Sequence, residues 1–180
     1  VLALVNIKQN LIDSAKIKLA EIKSLISKII ENKNQVEYGY DLLIAEILLA
    51  EKSPVNAITA FENATPQNLP TLGYPPIVRY NVPFMKDGLA RAYQKAGQLD
   101  KAISEYERLI TYNPKGKERY LIHPRYHYRL AVLYEEKGLK DIAINEYKRF
   151  LELWKEADKN LQEPIDARKR LNKLLSMKKL

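Results

Sequence analysis

Two histidines, His123 and His127, stand four residues apart. On one helix that spacing would let both imidazoles reach a single metal ion. His123, however, immediately precedes Pro124, at a helix boundary, and no third ligand stands close by. Capping and packing account for the pair, so no metal site is expected. Glu135 and Glu136 are adjacent and point in different directions on a helix, which suits surface groups better than a paired acid and base. There is no Cys. Disulfides, thiolate metal sites and a Cys nucleophile are therefore excluded. No Gly-rich phosphate loop, HExxH motif or Ser elbow occurs. The expectation is no catalytic residue and no cofactor.

The elements that must carry these side chains follow from composition. Hydrophobic residues make up 46% and charged residues 29% of the 180, with six Gly. That balance belongs to a folded, helix-rich chain rather than a disordered one. Tyr outnumbers the other aromatics, 12 against three Phe and one Trp, and it suits thin helical layers in which a ring is buried and its hydroxyl stays near water. The most apolar run, Leu42 to Ala50, contains Glu46 and is far short of the ~20 residues of a membrane span. The start, Val1 to Val5, lacks the basic segment and cleavage pattern of a signal peptide. Net charge is +8, and residues 164–180 hold six of the cations against Asp166 alone. A solvated terminal helix is the expected reading of that run.

Two stretches coincide when one slides along the other. Pro83, Leu89, Ala90, Tyr93, Gly97, Asp100, Ala102, Ile103, Glu105, Tyr106 and Arg108 return as Pro124, Leu130, Ala131, Tyr134, Gly138, Asp141, Ala143, Ile144, Glu146, Tyr147 and Arg149. Every pair is 41 positions apart (124 against 83, through to 149 against 108). Such a list marks a repeat architecture. Within each unit Pro suits a first helical turn. Leu-Ala-x2-Tyr forms one apolar stripe, Gly ends the helix in the left-handed conformation, and Asp caps the next helix or meets its dipole. The alanines sit where two helices cross too closely for a larger side chain.

On these residues the chain resembles the tetratricopeptide repeat family, whose pattern is Leu-small-x2-Tyr, Gly, Ala-x3-aromatic and Pro. The matches are Leu89-Ala90-x2-Tyr93, Gly97, Ala102-x3-Tyr106 and Pro114, then Leu130-Ala131-x2-Tyr134, Gly138 and Ala143-x3-Tyr147. Lys86 and His127 replace the usual Trp, and Lys155 the closing Pro. Weaker copies lie upstream. One is Ile44, Ala45, Leu48, Ala57, Ile58 and Phe61, with Lys52-Ser53-Pro54 as its turn. The other is Leu2, Ala3, Ala15 and Leu19, with Asn10 in its turn. The resemblance implies an all-α, right-handed solenoid of antiparallel helix pairs with a C-terminal capping helix. The expected divisions are a truncated unit 1–34, a unit 36–64, a loop 65–82, a unit 83–114, a loop 115–122, a unit 123–156 and a capping helix 164–178. The truncated first unit points to a segment of a longer protein. Helix B alanines fall at 15, 57, 102 and 143, wider than the family period of about 34. Early on, the surplus should lengthen helix B, where Leu11, Ala15, Leu19, Ile22, Leu25, Ile26, Ile29 and Ile30 keep helical register. Later it should make loops. The tail is similar to the repeat tails of large bacterial multi-domain signalling proteins.

In this family helix A of each unit lines a concave groove. The resemblance therefore implies a partner-binding face of Leu42, Glu46 and Leu49, then Phe84, Asp87, Arg91 and Gln94, then Arg125, Tyr128, Arg129, Val132 and Glu135, with Tyr74 of the loop at its edge. Arg125 and Arg129 match part of the carboxylate clamp that some members use for chaperone tails. Leu42, Glu46 and Gly88 do not fit the rest, so that partner is rejected. The mixed chemistry of the face suits an extended peptide or a neighbouring subunit of a larger complex. A nucleic-acid groove would be mostly basic with stacking aromatics. The expected function is a non-catalytic scaffold or assembly module for protein partners, without a small-molecule substrate or membrane insertion. Alternatives are a regulatory domain of a signalling enzyme and, less favoured, nucleic-acid binding through the basic C-terminal helix.

Overall fold

The computed structural model describes residues 2–28, 33–64, 86–111, 122–158 and 160–177. Among these, the regular elements are helices: α1 (Leu2–Lys8), α2 (Ile12–Ile26), α3 (Lys33–Ala50), α4 (Pro54–Asn63), α5 (Gly88–Lys95), α6 (Leu99–Ile110), α7 (Arg125–Glu136), α8 (Lys140–Leu153) and α9 (Gln162–Met177). They fall into two compact units, Val1–Gly97 and Gln98–Leu180. Tyr74, Pro83 and Phe84, both expected loops apart from Ile122, and Ile29 and Ile30 lie outside the described residues.

In the first unit α1 pairs with α2 and α3 with α4, and α5 rests on α4. The helix A alanines Ala3, Ala45 and Ala90 and the helix B alanines Ala15 and Ala57 are 0–2% exposed. A methyl at each crossing lets the backbones approach, and anything larger would overpack it. Gly88 carries this further. A Cβ there would run into the Phe61 ring and come within 3.2 Å of Glu46 Oε1. In the second unit α6 meets α7, α7 pairs with α8, and α9 covers α8. Ala102, Ala131, Ala143 and Ala167 hold the crossings at 0% exposure, and Tyr106, Tyr147 and Phe150 are as deeply buried.

The turns between helix A and helix B repeat one backbone conformation. The left-handed residue is Asn10, Lys52, Gly97 or Gly138, with φ of 59°, 61°, 74° and 76°. Each stands five positions before a crossing alanine of helix B. Three of these turns close with an amide reaching back five residues: Leu11 to Asn6 O at 2.8 Å, Ser53 to Leu48 O at 3.0 Å and Leu139 to Tyr134 O at 2.8 Å. These are the bonds that terminate a helix at a left-handed residue. Asp100 and Asp141 lie in the first turns of α6 and α8, one step inside, while the N-cap residues Gln98 and Leu139 make no side-chain cap. The two carboxylates there meet the helix dipole. α2 ends at Ile26 with a turn at Ser27, and α3 is the longest helix among the described residues, at 18 residues.

Candidate functional site

The residues expected on one open face occupy different surroundings. In the first unit Leu42 is 8%, Glu46 3%, Leu49 3% and Asp87 0% exposed. Their burial corrects the expectation that they line an open groove. From Leu42 to Ala50 α3 is apolar except at Glu46, and a helical stretch that is apolar all round is covered all round. Glu46 and Asp87 are instead ion-paired through Arg91. Arg91 Nη2 donates to Glu46 Oε1, and its Nε donates to Asp87 Oδ1 at 3.0 Å. The guanidinium is itself 16% exposed. A fork-shaped cation is the group able to satisfy two buried carboxylates at once. Gln94, the last residue of this set, is half-buried. Nearby, Tyr93 donates to Glu62 on α4 at 2.6 Å, pinning helix A of one repeat to helix B of the one before.

The second unit repeats both arrangements. Tyr134 donates to Glu107 of α6 at 2.6 Å. Arg170 of α9 donates to Glu135 at 3.0 Å and to Asp166 at 2.6 Å, as Arg91 does to Glu46 and Asp87. Of the face expected on α7, three members are therefore held by α9. Arg125 pairs with Glu163 at 2.8 Å, Tyr128 donates to Asp166 at 2.7 Å, and Glu135 receives Arg170 and, at 2.8 Å, Tyr147. Arg129 and Val132 are half-buried. The Glu/Asp-x3-Arg set is not legible as a unit in the sequence, because its Glu is on a different helix from the Asp and Arg. Its local trace was the i,i+4 Asp-Arg pair, present at 87/91 and again at 166/170.

Beneath these ion pairs lies a row of aromatic rings. Tyr147, Tyr128, Phe150, Trp154 and His123 follow one another at centroid separations of 6.3, 5.4, 5.2 and 5.7 Å, the last edge to face. Arg125 lies 6.0 Å from the Trp154 centroid. Its Nε is buried without a partner. The histidines serve separate neighbours. His123 Nδ1 accepts the Arg125 amide at 3.2 Å, and His127 Nδ1 is 2.7 Å from Glu146. Burial, with the Arg125 charge beside it, lowers the His123 pKa. Among the described residues no group of three His, Cys, Asp or Glu is placed to hold a metal, and no helix is long and apolar enough to cross a membrane.

The buried hydroxyls make the second unit sensitive to alkali. Burial, with the hydrogen bond to Asp166, pushes the Tyr128 phenol up to about 12. Burial and the bonds to Glu107 and Glu135 push Tyr134 and Tyr147 upward as well. A phenol whose pKa is raised by folding stabilises the fold fully below the unfolded value of about 10, and that contribution fades as pH climbs through the folded value. Asp166 goes the other way. Burial raises its pKa, but the hydrogen bonds from Tyr128 and Arg170 outweigh that and leave it below the usual carboxylate value. Its contribution is lost in acid, as pH falls through that lowered value. In an alkaline titration followed by phenolate absorbance and circular dichroism, part of the tyrosine signal should therefore emerge only together with loss of helicity, above pH about 10. Complete ionisation of all tyrosines in a still-folded chain would contradict these assignments.

Comparison with known proteins matches the tetratricopeptide repeat models at residues 88–116 and 124–153. No curated protein and no solved structure matches the chain. The matched stretches hold the Leu-Ala-x2-Tyr, Gly and Ala-x3-Tyr sets whose alanines are fully buried at the helix crossings, and over those residues the chain carries tetratricopeptide repeats.

Proposed function

We propose that this chain is a non-catalytic scaffold, a protein-interaction module that holds an extended segment of a partner or a neighbouring subunit against helix A of its repeats. Protein interaction is the general role that the repeats imply. The observation that supports the finer reading is the α7 face. Arg125, Arg129 and Val132 remain half-exposed there, next to a polar network that holds Tyr128 and Glu135 in fixed positions. A rigid surface of mixed cation, aliphatic and aromatic character suits a peptide, which offers carbonyls, acids and apolar side chains together.

A photo-crosslinking residue placed at Val132 tests this reading, with the exposed helix B position Lys148 as the control. The expected result is partner adducts from position 132 that Arg129→Glu suppresses and that are absent from position 148. Equal adducts from both positions, or none from 132, would remove α7 as the contact face. Arg91 and Asp87 are unsuited to such a test, because changing them breaks a buried ion set.

A further inference from the structure

The two ion triads align α9 with α5. Asp166 and Arg170 stand 79 positions after their counterparts (166 against 87, 170 against 91), and Ala167 falls on Gly88. Both small residues are buried. α9 rests on α8 and touches α7, as α5 rests on α4 and touches α3. The terminal helix therefore occupies the seat of a helix A. The same alignment carries Leu89-Ala90-x2-Tyr93 onto Arg168-Lys169-x2-Asn172. In α7 that stripe is Leu130, Ala131 and Tyr134, exposed by 1%, 0% and 8%. In α9 all three positions are exposed, and exposed Lys173 adds a third cation.

Both acids of α9 turn toward α7. Glu163 is paired with Arg125, and Asp166 with Tyr128 and Arg170. Every ionised side chain on the exposed face is thus positive. A solvent-facing helix surface needs only polar residues, and neutral or mixed ones serve equally well. A single sign of charge is more than exposure requires. Ile165 and Met177, 46% and 49% exposed, flank the cations near either end of the helix.

We propose that this outer face of α9, in the position where a repeat would hold its own helix B, docks an acidic segment of a partner protein that carries apolar residues at its ends. Carboxylates complement Arg168, Lys169 and Lys173, and the apolar ends cover Ile165 and Met177. A nucleic acid fits less well. The face exposes no aromatic ring for base stacking, and a phosphate backbone offers nothing to the two apolar side chains. The inference rests on the protein-interaction reading but uses a different surface from the α7 face.

Fluorescence anisotropy with three labelled probes tests it: a glutamate-rich peptide ended by leucines, the same peptide ended by serines, and a single-stranded oligonucleotide of equal charge. The leucine-ended peptide should bind tightest, and its binding should weaken with added salt. Arg168→Glu/Lys169→Glu/Lys173→Glu should weaken it roughly tenfold or more. The gentler Arg168→Gln/Lys169→Gln/Lys173→Gln should act in the same direction, which guards against a misfolded reversal variant, with circular dichroism checking both. Ile165→Ser/Met177→Ser should erase the preference for leucine ends. Binding of the oligonucleotide as tightly as the peptide, retained affinity in the charge variants, or no peptide binding would overturn the proposal. Adducts from position 132 would persist in any of those cases, so the two readings fail separately.

Discussion

Arg91→Met should destabilise the first unit by about 3–5 kcal/mol, read as a fall in denaturation midpoint. Glu46 and Asp87 are 3% and 0% exposed, and Arg91 lies between them. Removing the cation takes from two buried carboxylates the charge they share. Total stabilities of about 5–15 kcal/mol make that a large fraction. Glu46→Met/Asp87→Asn/Arg91→Met should recover most of the loss, since replacing a whole buried ion set is often neutral whereas breaking it is not. The second triad supplies a contrast within one molecule. Arg170, Asp166 and Glu135 are 36%, 37% and 20% exposed. Water screens them, so Arg170→Met should cost far less, about 1 kcal/mol. Equal losses from Arg91→Met and Arg170→Met would mean that burial does not set the cost.

Phe150→Ala should remove about 3–5 kcal/mol from the second unit. Phe150 is 0% exposed and bridges Tyr128 at 5.4 Å and Trp154 at 5.2 Å. The lost ring withdraws its transfer energy and leaves a void that neighbouring rings fill only in part. Trp154 is the single tryptophan of the chain, so its fluorescence reports directly on this site. The variant should show altered emission under native conditions and an earlier unfolding transition. Phe150→Leu, which keeps most of the volume, should lose less. Unchanged emission together with unchanged stability would mean that Phe150 is not at the centre of the row.

Where geometry is local, the sequence was a good guide. A residue's burial on a helix follows from its register, so Ala15, Ala57, Ala102 and Ala143 could be read as crossing points, and all four are fully buried. Gly97 and Gly138 could be read as left-handed turns for the same reason. The binding face was harder, because it depends on how one helix A meets the next. Register places Glu46, Asp87 and Arg91 on related faces, but only the crossing of α3 and α5 decides whether those faces meet solvent or each other. They meet each other. Tyr128 and Glu135 likewise project from α7 into contacts with α9, 38 and 35 residues further along the chain, which no local pattern encodes. Of the two roles open to Asp100 and Asp141, the dipole contact is the one that fits their place: both lie one step inside the first turn rather than at the N-cap.

The helix A to helix B turns also bear on how a repeat fades from view. At Gly97 and Gly138 nothing lies within 4 Å of an added Cβ. The restriction is purely one of backbone conformation, worth about 1–2 kcal/mol for an ordinary L-residue. At Lys52 the chain already carries that penalty, Asn10 carries less of it because a short amide side chain can bond locally, and both turns keep a left-handed residue. Glycine is therefore a dispensable letter at the position where the family's signature is easiest to see. Mutational drift can erase it while the helix pair persists, as long as the crossing alanines stay small. Recognisable spelling survives at residues 88–116 and 124–153. The same helix pairing extends upstream, where α1 to α4 keep small buried alanines at the crossings in a less legible script.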